Sequence, residues 1–521
     1  MWSLVGLLTL LAFYHALFYP PTSWDALMYY LEHPRRSVAE GGFPTVVASQ
    51  VGMGLAANYP PLFRSLAAGI PSLTGSWNPM VGQFAGPWAG LLATLLVYAW
   101  LRRRFDAVTA AAGTLAYRAL PYSLVFSMQA GHYAWTMAAV AAFLWAGERA
   151  LAQRSGSSLL PPLLFAATAA SINYLMPALL LPAAVLLYCR RESWRALDWK
   201  SLVAWTVALG ALGGFWYLRN WMVAGNPVYP FFASIFGGHN IHPEVMASAR
   251  IEWALNGDGL ARWTSVLGRI AYLPHYCFWE PNIIWKLQPI LFIFGLPGLF
   301  IALGRRERGW WMWASLLVVF LTYGLTIGAY YLYHLLPVFP LLGLFAASLL
   351  SASGPRVRGV MLSVLVLLSL GPSLGAALIG PHVPYADLWA FAHPNPPREL
   401  FLSRCPTIDG DVELWRYLSE HAPDAVVLTH DNRTYYLPLS VRFLNLDDPA
   451  IWPLYDEDDP AVEHARFVEL GATHYLYIRN QENHPILSRL SLGDAARGRY
   501  PQYYRLVKVA ANGDALFEVR R

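Results

Sequence analysis

Apolar residues recur along this chain in long runs, and short segments between them hold most of the charge. The clearest runs are Met1–Tyr19, 82–101, 132–147, 175–189, 288–303 and 359–379. A helix needs roughly 17–25 apolar residues to cross a bilayer, and the repetition of such runs predicts a polytopic α-helical membrane protein. The basic residues sit at the ends of the runs. Arg102, Arg103 and Arg104 follow the second; Glu148, Arg149 and Arg154 follow the third; Arg190 and Arg191 follow the fourth. Arg305, Arg306 and Arg308 follow the fifth, and Arg356 and Arg358 precede the last. Cytoplasmic loops collect Lys and Arg, and with about eleven transmembrane helices every cluster lands on that side. The expected orientation is a cytoplasmic N-terminus and an extracytoplasmic C-terminal region. The first run has no basic residue before it and no small-residue cleavage pattern before Trp24, so it is read as a retained helix.

Three outward regions interrupt this pattern. Residues 21–80 are rich in Pro, Gly and aromatics, with amphipathic pieces near 24–33 and 61–70 that would lie along the interface. Residues 220–287 alternate turn signals with aromatics, as in Gly225-Asn226-Pro227. From about residue 385 charges become frequent. Val412–His421 and Ala461–Leu470 read as helices, and Ala425–Thr429, Thr473–Ile478 and Ala515–Val519 as strands. That alternation predicts a small α/β domain over 385–521, after a membrane domain over 1–380.

Composition agrees. The chain is 56% hydrophobic and 13% charged over 521 residues, against about 25% charged in soluble proteins. The net charge of +5 belongs to the loop clusters, so it does not point to nucleic acid. Three cysteines are too few for a disulfide framework, and no Cys/His spacing predicts a metal centre.

Candidate chemistry begins where the first run ends. Asp25 stands among Trp24, Tyr29 and Tyr30, with Arg35 and Arg36 close behind. A carboxylate placed there can take a proton from an attacking group, and the arginines can hold a lipid phosphate. The same Asp, or Ser23, can equally be a helix N-cap, and the arginines can be interfacial anchors. Arg219 with Asn220, at the outer end of a span, is a third phosphate candidate. His334 lies among tyrosines near a span boundary, and Tyr59 in Asn58-Tyr59-Pro60-Pro61 is a candidate cavity residue. His132, His275 and Glu280 are weaker candidates, each as readily a hydrogen-bonded or ion-paired structural group. The run Asp456-Glu457-Asp458-Asp459 lacks calcium-loop spacing.

Trp24-Asp25-Ala26-Leu27 with Pro34-Arg35 and Gly41-Gly42-Phe43 resembles the first outer loop of the GT-C glycosyltransferases. The closer likeness is to the bacterial branch related to protein mannosyltransferases and aminoarabinose transferases. Trp216-Tyr217-Leu218-Arg219-Asn220-Trp221, then Gly225-Asn226-Pro227-Val228-Tyr229-Pro230-Phe231, is similar to a second motif of that branch. Glu469-Leu470-Gly471-Ala472-Thr473-His474-Tyr475-Leu476 resembles part of its outer domain. The resemblance implies a GT-C-like membrane fold and an outward active site. It also implies a polyprenyl-phosphate-linked sugar as donor, and an extracytoplasmic acceptor that is a lipid, glycan or protein. Asp25 matches the acidic residue of the first outer loop, so its implied role is catalytic base, with inversion at the anomeric carbon. The implied location is the bacterial inner membrane. The chain departs from the pattern at Ala26, where mannosyltransferases place a second acid. It departs also at His132-Tyr133, where relatives carry an acid after Tyr, and at Tyr330–Pro337, where relatives carry an Arg. These departures leave a divalent metal requirement open. The other reading of the membrane domain is a lipid or solute transporter or flippase. Neither repeated halves nor charged helices favour it.

Overall fold

The computed structural model describes residues 1–23, 25–40, 60–74, 77, 79–153, 155–229, 232–238, 289–306, 309–322, 332–373, 394–405, 408–431, 433–479 and 486–521. The first apolar run forms helix α1 (Trp2–Phe18), which ends where Pro20 and Pro21 deny it further backbone donors. A π-turn over Ala26–Tyr30 and helix α2 (Glu32–Glu40) follow, then α3 (Leu62–Thr74). The bundle continues with α4 (Pro79–Leu101), α5 (Ala107–Arg118), α6 (Pro121–Met128) and α7 (Tyr133–Ala152). α4 packs along α7 and against α1, and α5 packs on the later helix Phe339–Ala352. Two of the close approaches in this core need glycine. A Cβ on Gly113 would meet the Gly343 carbonyl at 2.4 Å, and one on Gly298 would overlap the backbone of Phe345.

Among the described residues three helices are long and apolar enough to cross a membrane: Met80–Leu101, Trp199–Ala224 and Leu335–Ala352. Shorter apolar helices include Trp2–Phe18, Gly156–Ile172, Met176–Cys189, Leu291–Arg305 and Trp310–Thr322. The expected eleven spans are therefore not reached among the described residues. Proline, π-turns and 3₁₀ turns divide several runs: Leu120-Pro121 separates α5 from α6, and the 3₁₀ turn Met176–Leu179 begins the run at 175.

The C-terminal region is a five-stranded mixed sheet with helices. Its strands are β1 (Val426–Thr429), β2 (Arg442–Asn445), β3 (His474–Tyr477), β4 (Tyr504–Val509) and β5 (Ala515–Val519), in the order β2-β1-β3-β5-β4. β1 runs parallel to β2 and β3; β5 runs antiparallel to β3 and β4. The helices Asp409–His421 and Pro460–Glu469 fall where the pattern predicts. Strand residues alternate between two cores. Val427, Phe443, Leu476 and Leu516 face helix Asp409–His421 and join the apolar core of the bundle, which also holds Tyr19, Tyr29 and Phe63. Val426, Leu428, Tyr475 and Phe517 build a separate core with Phe467. The sheet is thus packed onto the membrane helices through one face.

Candidate functional site

The carboxylate sits at the start of the π-turn after α1. Ser23 performs the capping expected of this position, its Oγ accepting from the Ala26 amide at 3.3 Å. Asp25 makes no capping bond. Its Oδ2 instead accepts a 2.5 Å hydrogen bond from the Tyr133 hydroxyl, at the N-terminus of α7. Burial pushes the Asp25 carboxyl above its ordinary range, and the Tyr133 bond pulls it part of the way back.

The neighbouring residues extend this pair into a polar band. Tyr30 packs edge-on against Tyr133 and His132. The His132 Nε2 lies 3.4 Å from the Tyr30 hydroxyl and accepts from the Asn173 amide at 2.5 Å. Asn173 ends helix Leu160–Ile172 with an extended backbone, and its Oδ1 takes the Leu175 amide in an Asx-type turn. Tyr174 follows, and its hydroxyl accepts from Asn220 Nδ2 at 2.5 Å. Asn220 is fully buried, and its Oδ1 accepts from Arg219 Nη1 at 2.8 Å. The Arg219 guanidinium lies 4.8 Å from the centre of the Trp216 ring. Asp25, Arg219 and Asn220 are therefore linked through four chain segments, by side-chain contacts on either side of the single backbone step from Asn173 to Tyr174.

Arg35 and Arg36 stand elsewhere. Both grip Glu32: Arg36 Nε at 2.5 Å, and Arg35 through Nε at 2.8 Å and Nη2 at 3.0 Å. Their remaining donors reach carbonyls of the C-terminal region. Arg35 donates to Leu437 and Thr434, Arg36 to Leu439 and Val441. Neither bonds to the Asp25 band. Tyr59, His275 and Glu280 lie outside the described residues, as does the side chain of His334. Sequence reading singled out Asp25, Arg219 and Asn220 but missed Tyr133, Asn173 and Tyr174. The signal available was Asn173-Tyr174, a polar pair in a stretch from Leu159 to Cys189 that carries no charge.

Among the described residues no three His, Cys, Asp or Glu side chains converge as metal ligands. The group bonded to Asp25 is a phenol, which leaves that carboxylate one protein hydrogen bond and an oxygen for a reacting group.

Comparison places this geometry among known proteins. Residues 58–217 match the model of the dolichyl-phosphate-mannose-protein mannosyltransferase family, under a third of the chain. A search of curated proteins finds none that matches in sequence. In fold, the apo structure of ArnT from Cupriavidus metallidurans matches with a TM-score of 0.59 at 15% identity, over 99% of this chain and 97% of that one. The same protein bound to undecaprenyl phosphate matches with a TM-score of 0.57 over the same shares, also at 15% identity. The Archaeoglobus fulgidus oligosaccharyltransferase, in its apo form, matches at 0.53 and 14% identity, over 100% of this chain and 74% of that one. The chain thus has the fold of these GT-C membrane glycosyltransferases along its whole length, and it resembles ArnT and the protein mannosyltransferases.

Proposed function

We propose that this protein is a membrane glycosyltransferase that moves a sugar from a polyprenyl-phosphate donor to an extracytoplasmic acceptor. One observation carries the reading. In a fold like that of a protein crystallised with undecaprenyl phosphate, the first outer segment holds a carboxylate that spends no bond on helix capping. In this reading the acceptor nucleophile approaches Asp25, which takes its proton as the new bond to the anomeric carbon forms. The bond between that carbon and the phosphate oxygen breaks, polyprenyl phosphate leaves, and the configuration inverts. Arg219, held by Asn220, faces the leaving phosphate and stabilises the charge it gains. The membrane part spans 1–380, and the α/β part spans 385–521.

The test is lipid analysis of a strain lacking the protein. A polyprenyl-phosphate sugar should accumulate, and the wild-type chain should clear it. Asp25→Asn should be made and inserted normally, bind the donor lipid, and leave the accumulation in place. Clearance by Asp25→Asn would remove the carboxylate from the reaction.

A further inference from the structure

A cavity of about 410 Å³ opens where α1 meets the C-terminal region. Leu17, Phe18 and Tyr19 line it from α1, and Met80 and Gln83 from α4. Tyr435, Tyr436, Arg35 and Arg398 close the outer side with Trp77. No residue of the Asp25 band lines it. Two donors here have no acceptor among the described residues. Trp77 Nε1 donates to the Tyr435 hydroxyl at 3.2 Å, so that oxygen's own hydrogen is left to point elsewhere. Burial, the main effect, pushes the Tyr435 phenol up to about 12, so it stays a donor. Tyr436 is spent, donating to the Pro21 carbonyl at 2.5 Å. The exposed Arg398 packs its guanidinium 5.6 Å from the Tyr436 ring and pairs with no carboxylate among the described residues. The next acid, Glu399, is taken by Arg416.

The charge around this cavity is one-sided: Glu32 stands against three guanidiniums, those of Arg35, Arg36 and Arg398. An anion with several acceptor oxygens satisfies both the Tyr435 hydrogen and Arg398. The inner wall has the opposite character. Leu17 is 46% exposed at the end of an apolar helix, beside Phe18. A ligand here is anionic at its outer end and apolar at its inner end. We propose that this cavity binds the phosphate head group of an anionic membrane lipid, held by Arg398 and the Tyr435 hydroxyl, with its acyl chains along Leu17 and Phe18. The site is separate from the proposed transfer site and does not depend on it. It would fasten the C-terminal region to the membrane surface beside α1.

The experiment titrates the purified full-length protein, in neutral detergent, with dioctanoyl phosphatidic acid by calorimetry. One saturable site is expected, and dioctanoylglycerol, with the same chains and no phosphate, should not bind. Arg398→Ala and Tyr435→Phe should each weaken binding about tenfold, the usual loss for one charge-assisted or buried hydrogen bond. The exposed control Arg499→Ala and the transfer variant Asp25→Asn should bind as wild type, and thermal melting checks that every variant is folded. Undiminished binding in the Arg398→Ala, Tyr435→Phe double variant would overturn the proposal. So would loss of binding in Arg219→Ala, or one-for-one displacement by undecaprenyl phosphate, since either would put the lipid in the transfer site. Equal affinity for inorganic phosphate would assign the pocket to a soluble anion and overturn the lipid.

Discussion

At the scale of single residues, Ser23 and Asp25 divide two roles that their sequence positions leave open. Ser23 caps, so Asp25 is released to meet Tyr133. A phenol bonded to a half-buried carboxylate tunes it. Burial raises the Asp25 carboxyl and the Tyr133 bond lowers it, so Tyr133→Phe should raise it further. The base form then appears only at higher pH, and the acidic limb of the transfer profile should move upward. Stability runs the other way. A carboxyl raised by folding binds protons more readily in the folded state, so its contribution falls as pH rises through the folded value. A pH–rate profile of Tyr133→Phe that overlays the wild type would show that Tyr133 does not act on the base. Arg219→Ala should weaken donor binding about tenfold to a hundredfold, with Arg219→Lys in between, because lysine keeps the charge but loses the fork. Titration with a polyprenyl-phosphate sugar reads this directly, and an unchanged affinity would take Arg219 out of the site.

At the scale of elements, α2 is a clamp. The Glu32 side chain is fully buried and Arg36 nearly so, and both arginines reach across to carbonyls that precede or open β2. Removing the carboxylate strands two cations against the sheet. Glu32→Ala should cost about 3–5 kcal/mol, the usual penalty for breaking a buried ion pair. The measurement is the melting temperature, with Glu32→Gln expected to lose less because it still accepts a hydrogen bond. This clamp also explains what the sequence hid. Arg35 and Arg36 look like phosphate ligands beside a membrane helix, and only residues some 400 positions later show what occupies them. The helices and strands with strong periodicity were legible: Asp409–His421, β1, β3 and β5 all fall within a residue or a few of their predicted places. β2 was not, because Arg442-Phe443-Leu444-Asn445 holds only two apolar residues between polar ends. β4 was missed because Arg505, Leu506 and Val509 are exposed on this edge strand and a bulge breaks its alternation. Tyr133 was illegible for a different reason: only the packing of α7 brings it to Asp25, and the polar pair Asn173-Tyr174 gave no sign that Asn173 meets His132.

At the scale of the whole molecule, two chemically different ends lie about 34 Å apart, the length of the 23-residue helix α4 at 1.5 Å per residue. Near its start, Gln83 donates to the Tyr19 carbonyl beside the C-terminal region. At its far end the arginine clusters meet one another. Arg104 pairs with Glu148 at the end of α7, Arg358 pairs with Asp106, and Arg305 donates to Ser351. Asp106 joins this end to helix Pro355–Leu368 while capping α5 through the Val108 and Thr109 amides. Clusters that are scattered in sequence are thus gathered on one face, opposite Asp25 and the sheet. A bias of arginine to one face of a membrane protein fixes which face stays in the cytoplasm. A reporter inserted at Gly354, on the arginine face, should be active only in its cytoplasmic form. One fused after Arg521, on the sheet, should be active only in its extracytoplasmic form. The donor chemistry depends on this result, because Asp25 shares the sheet's end of α4. A cytoplasmic signal after Arg521 would place Asp25 on the cytoplasmic side and overturn transfer to an external acceptor, even if the donor lipid accumulated in the strain lacking the protein as expected.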